Sequence, residues 1–156
     1  MAFLRFLMLL SLIVWLGGMI FFAMLAPTLF SVLPTRHLAG AVIAPVLTKL
    51  HWMGIVSGIT FLISSMIYSR SATGVAQPFA LQHLLIYAML VLTIISQFGI
   101  SPKMAALRAS MGEIDSVAVT NSARVQFNAL HAWSTRLEGG VLLLGLAVVY
   151  LTAPRL

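Results

Sequence analysis

LHAWSTRLEGGVLLLGLAVVYLT, residues 130–152, decides how the rest of the chain is read. A helix needs about 20 apolar residues to cross a bilayer. The uninterrupted apolar run from Gly139 to Leu151 is too short for that. Pro154 and Arg155 close it on one side, so the span has to reach back to about Ala132. It must therefore take in Arg136 and Glu138, and Glu138 is one of only three acidic residues in the protein.

The remainder of the chain agrees with a membrane assignment. Of 156 residues, 61% are hydrophobic and 8% charged, against about 25% charged in a soluble domain. A soluble fold of this size has too little interior to hide that much apolar side chain. Four spans are expected, near 6–27, 50–69, 79–100 and 132–152. The uncharged run from Phe6 to Thr35 exceeds the core of about 7–15 residues in a signal peptide, so the first is expected to be a retained span. Fold class follows as all-α: one transmembrane domain over residues 1–156, an integral membrane four-helix bundle in up-and-down order. RSATGVAQP is a short link rich in turn formers, whereas the other two connections are long and partly helical. Helices should therefore extend beyond the bilayer on that second side, with Pro27, Pro34 and Pro45 punctuating the first long link and Gly112 the second.

Basic residues give a polarity. Arg5, Arg70 and Arg155 lie at one end; Arg36, Lys49, Lys103, Arg108, Arg124 and Arg136 lie at the other. The excess marks the second end as cytoplasmic and both termini as periplasmic, in a bacterial inner membrane. No basic run suggests nucleic acid. The expected partners are the lipid bilayer and either further copies of the chain or a larger membrane complex. Without cysteine there is no disulfide or thiolate chemistry. GxSxG, P-loop, HExxH and CxxC motifs are all missing, which speaks against an enzyme of the common hydrolytic or nucleotide classes.

Residues seven apart on a helix nearly superpose. In the fourth span this aligns Arg124, His131 and Glu138, with Asn128, Ser134 and Thr135 along the same stripe. Arg136 falls on the opposite side, placed to snorkel to the interface. An acid within the membrane costs about 2.5–3.5 kcal/mol on insertion scales and should face the bundle interior with a partner. The second span opens with His51, followed by Gly54 and Gly58, a small-xxx-small pattern for close packing. Gly17 and Gly18 supply small residues on the first span. In an up-and-down bundle the second and fourth spans face each other across the diagonal, so His51 and His131 are expected to sit at similar depth beside Glu138. Gln97 is placed to complete the cluster. Paired imidazoles suggest haem or a transition metal as ligand, in a protein of transport or efflux. The alternative is a non-enzymatic scaffold or accessory subunit whose polar stripe only specifies helix packing. The nine methionines form no MxM or MxxM run and read as packing.

VWLGGMIFFAMLAPTLFSVLPTRHLAG, LTKLHWMGIVSG, SPKMAALR and RVQFNALHAWSTRLE together resemble the transmembrane protein 205-like proteins, whose bacterial members form a domain of unknown function. The most specific parts are His51 after Leu50 and the series Arg124, Phe127, Leu130, His131 and Ser134, with Pro102 and Arg108 at the exit of the third span. The resemblance implies a four-span helical membrane protein and no particular activity. Trp15, Gly17, Gly18 and Phe21 more loosely resemble the first spans of copper-resistance and small haem-binding membrane proteins.

Overall fold

The computed structural model describes residues 1–153, so Arg155 of the charge pattern lies outside the described residues. The regular structure among those residues is all helical, with no strand. The helices are α1 (Ala2–Val32), α2 (Arg36–Thr73), α3 (Leu81–Ile94), α4 (Ser101–Met111) and α5 (Ser122–Thr152). A π-helical stretch, Ile95–Ile100, joins α3 to α4 without a break, so the third long helix runs over Leu81–Met111. Four helices are thus long and apolar enough to span a bilayer.

Local chemistry sets the ends. Thr35 caps α2 by accepting from Leu38 N at 3.1 Å, and Asp115 Oδ2 accepts from Arg36 N at 2.9 Å. Asn121 caps α5 through Ala123 N at 2.9 Å. Gly74 (φ 77°) closes α2 in the left-handed region, where a side chain would be strained. Gly112 ends α4, as the turn signal there predicts, with a positive φ (62°) but a ψ of −118° that lies outside the left-handed helical region. Two prolines depart from expectation. Pro27 and Pro45 lie inside α1 and α2 and end neither helix; only Pro34 falls in the connection. A proline inside a membrane helix is tolerated where neighbouring groups satisfy the freed carbonyl.

Each long helix packs on its sequence neighbour, and α5 closes loosely on α1. The bundle is up-and-down, with α2 and α5 parallel across the diagonal. One offset of 87 residues relates them along their whole length. His51 meets Glu138. At one end, Arg108 of α4 donates to Gly40 O at 2.9 Å and lies 5.5 Å above the Phe127 ring. At the other, Ser65 and Thr152 line one crevice. Between these levels Trp15, Phe61, Ile86, Met89, Val141 and Val148 are all buried, together with the hydroxyl side chains of Ser57, Ser64 and Thr93. The amino-terminal turns of α2, all of α4 and the first turns of α5 extend past the expected spans at the basic end, as the long links suggest. Trp52 and Trp133 face outward there. Arg136 sits 5.3 Å over the exposed Trp133 ring, an amphipathic pair suited to an interface.

Candidate functional site

His51 is 1% exposed and is held at both ring nitrogens. Nδ1 is 2.7 Å from Gln97 Oε1, and Nε2 is 2.7 Å from Glu138 Oε1. Ser96 donates its hydroxyl to the same Glu138 oxygen at 3.3 Å. Three helices thus contribute to one cluster: α2 the imidazole, α5 the carboxyl, and the π-helical stretch both Ser96 and Gln97. Glu138, with a side chain 19% exposed, and the partly exposed Gln97 are the members that reach the surroundings.

The π-helical stretch has an identifiable cause. Pro102 lacks an N–H, and its ring would collide with the carbonyl four residues back, that of Phe98. The preceding turn widens instead, and Ser101 N–H reaches Ser96 O, an i→i−5 bond. Widening reduces the angle between consecutive side chains, so both Ser96 and Gln97 point into the bundle. Gln97 is readable as a polar residue at the right depth. Ser96 is not, because at ordinary helical phase it would not share a face with Gln97; the only sequence signal is Pro102 downstream. Pro102→Ala should let the turn relax to α and move Gln97 off His51. The check is amide exchange at residue 102 together with loss of the hydrogen-bonded His51 Nδ1–H resonance, while the fold is retained.

The structure brings His51, Gln97 and Glu138 together and leaves other candidates apart. His131 is exposed, about 10 Å along α5 from Glu138 by helical rise. The 87-residue offset explains this: level with His131 is Ala44, not His51. Asn128 is exposed too. Thr135 is exposed and spends its hydroxyl on His131 O at 3.0 Å. Ser134 is buried, a full turn from Glu138. Arg124 donates to Val117 O and anchors the loop before α5. No group of three or more potential metal-ligating side chains occurs among the described residues.

Of the four glycines, Gly54 and Gly58 form a trough for the Trp15 indole. A Cβ on Gly54 would stand 2.7 Å from Trp15 Cε2, and one on Gly58 2.8 Å from Cζ3. Gly18 faces the flexible end of Met53, and Gly17 faces open space. Trp15, 2% exposed, therefore fixes the distance between α1 and α2 one turn from His51.

Four apolar spanning helices define an integral membrane protein of the small helical-bundle class. The family described as a domain of unknown function (DUF4149) matches residues 10–113, two thirds of the chain, and the protein belongs to it. The match includes His51, Ser96, Gln97 and Pro102; Glu138 lies beyond it. No curated protein and no solved structure matches the chain.

Proposed function

We propose that the protein is a proton-responsive membrane protein and that the His51–Glu138 pair is the group that takes up and releases the proton. The observation that supports this is the donor count. An amide oxygen only accepts, so His51 Nδ1 must carry the hydrogen given to Gln97 Oε1. With Nδ1 donating, the 2.7 Å contact of Nε2 with Glu138 Oε1 is a hydrogen bond only while one further proton is shared between the two atoms. If that proton leaves, a lone pair and a carboxylate face each other. Gln97 can relieve this by turning its amide, donating to Nδ1 and sending the ring hydrogen to Nε2. Release of one proton is thereby coupled to reorientation of Gln97, a side chain held in the proline-widened turn.

Ligation of haem or a metal, the other reading of these histidines, draws less support. Both ring nitrogens of His51 are engaged, and His131 lies elsewhere on the surface. Coupling of the switch to transport, assembly as a homo-oligomer or within a larger complex, and a bacterial inner-membrane location with both termini periplasmic belong to the same proposal. The charge asymmetry supports that orientation, and the likeness to transmembrane protein 205-like proteins supports the four-span organisation.

Nitrogen NMR of histidine-labelled protein in lipid tests it. We expect His51 to pass from an Nδ1–H state to an Nε2–H tautomer as pH rises, and Glu138→Gln to abolish the change. A single His51 state across the titration, unaltered in Glu138→Gln, would leave the cluster as a packing device and favour the scaffold reading.

A further inference from the structure

Among the described residues, two buried side-chain nitrogens have no hydrogen-bond partner: Arg108 Nε and His37 Nδ1. Both belong to one junction of α2, α4 and α5 at the basic end of the bundle. Arg108 comes from the last turn of α4 and reaches Gly40 of α2. His37 precedes Gly40 by about one turn of the same helix. The guanidinium is fixed on several sides. Nη1 donates to Gly40 O at 2.9 Å, and the Phe127 ring of α5 lies 5.5 Å away against its face. Gly40 makes the room, since a Cβ there would stand 2.8 Å from Nη2. One edge of the group is left over. Nε–H and Nη2–H point the same way, and this is the edge by which a guanidinium grips a carboxylate or phosphate through two parallel hydrogen bonds. Neither finds an acceptor among the described residues. A latch between α4 and α2 needs only Nη1, whereas a buried N–H with no acceptor is destabilising.

The donor inventory narrows the occupant. A guanidinium donates and never accepts, and it is always charged, so its partner is an acceptor and favourably an anion. The junction is basic besides: Arg36 opens α2, and Arg124 stands in the first turn of α5, level with His37 by the 87-residue offset. The chain's own acids at this end are committed or turned outward. Asp115 accepts from Arg36 N at 2.9 Å, and Glu113 is exposed. A carboxylate would spend both oxygens on the Arg108 fork. A phosphate keeps further oxygens for His37 Nδ1, which donates as the imidazolium or the Nδ1–H tautomer.

We infer that the α2–α4–α5 junction binds a phosphate group, with Nε and Nη2 of Arg108 as its fork and His37 as a further donor. The phosphate is that of a lipid headgroup or of a soluble compound. The site lies about 16 Å along α2 from His51 and does not depend on the proton reading. Nitrogen NMR of the arginine- and histidine-labelled full chain tests it, in maltoside micelles, which carry no phosphate. The probes are inorganic phosphate and added phosphatidic acid, with chloride at matched ionic strength as the control. The Arg108 Nε–H resonance, identified by its loss in Arg108→Lys, should shift saturably with phosphate and not with chloride, and the His37 ring nitrogens should follow the same curve. A response to inorganic phosphate marks a soluble source, and a response to phosphatidic acid alone marks a headgroup. Arg108→Lys keeps the charge but loses the fork, so it should weaken the His37 response by roughly tenfold or more, with the His51 resonances in place. No saturable shift with either phosphate, an equal shift with chloride, or a His37 response unchanged in Arg108→Lys would overturn the inference. So would an Arg108 Nε–H already shifted without phosphate and released in Glu113→Gln, which would assign the edge to the chain's own acid.

Discussion

His51→Ala should destabilise the bundle by about 3 kcal/mol, measured by unfolding the purified protein in mixed micelles. Two cross-helix hydrogen bonds disappear, and in membrane proteins such bonds average only about 0.6 kcal/mol each. The larger part comes from what is left behind. Glu138 loses the one basic partner it has among the described residues, and an unpaired acid in a membrane helix costs about 2.5–3.5 kcal/mol on insertion scales, reduced here by its partial exposure. The argument makes a second, opposite demand. Replacing His51, Gln97 and Glu138 together by leucine removes the orphaned groups along with the bonds, and apolar substitution of a whole buried polar set is often neutral or stabilising. The triple variant should therefore recover most of the lost stability while losing the proton response. If it is as unstable as His51→Ala alone, the loss comes from packing around position 51 and the network is not its source.

The four spans were legible because span length, charge deficit and turn residues all act over a whole segment. So was the pairing of α2 with α5, which alternation alone requires. Depth was not. Counting back from Leu151 puts Ala132 at the bilayer edge and His131 level with His51. Register between diagonal helices, however, is set by side chains that meet, and here Glu138 meets His51. A shift of seven residues keeps the same helical face, so periodicity cannot detect it. Two turns of axial displacement separate a histidine pair from a histidine–carboxyl pair, and with it a metal reading from a proton reading. Ser96 escaped for a different reason: the Pro102-induced widening changes the phase on which any face assignment rests. Pro27 and Pro45 show the same limit from the other side, since local propensity that would end a soluble helix is overridden in a long apolar one.

Alanine substitutions at the glycines of α1 and α2 should separate into three outcomes, and the order is not the one expected of a GxxxG contact between backbones. Alanine gains about 0.8–1.0 kcal/mol over glycine in a helix interior, so each starts with a small advantage. At Gly17 nothing lies within 4 Å of the added carbon, and Gly17→Ala should be stabilising by roughly that amount. At Gly18 the added carbon overlaps Met53 Cε, but a methionine end has several rotamers to move into. Gly18→Ala should be near neutral. At Gly54 the obstacle is the Trp15 indole, a rigid ring enclosed between α1 and α2. Its atoms cannot yield separately, so the helices must part, and overpacking of this kind costs about 1–3 kcal/mol. Gly54→Ala should therefore be the destabilising member, and Trp15→Leu, itself costly through the void it leaves, should relieve it, so that the double variant is more stable than the two single losses predict. Simple additivity would mean that indole and trough are not in contact. The consequence reaches the polar cluster, because Gly54 is one turn from His51: if Trp15 sets the spacing of α1 and α2, Gly54→Ala should also shift the His51 nitrogen resonances, and Gly17→Ala should leave them in place.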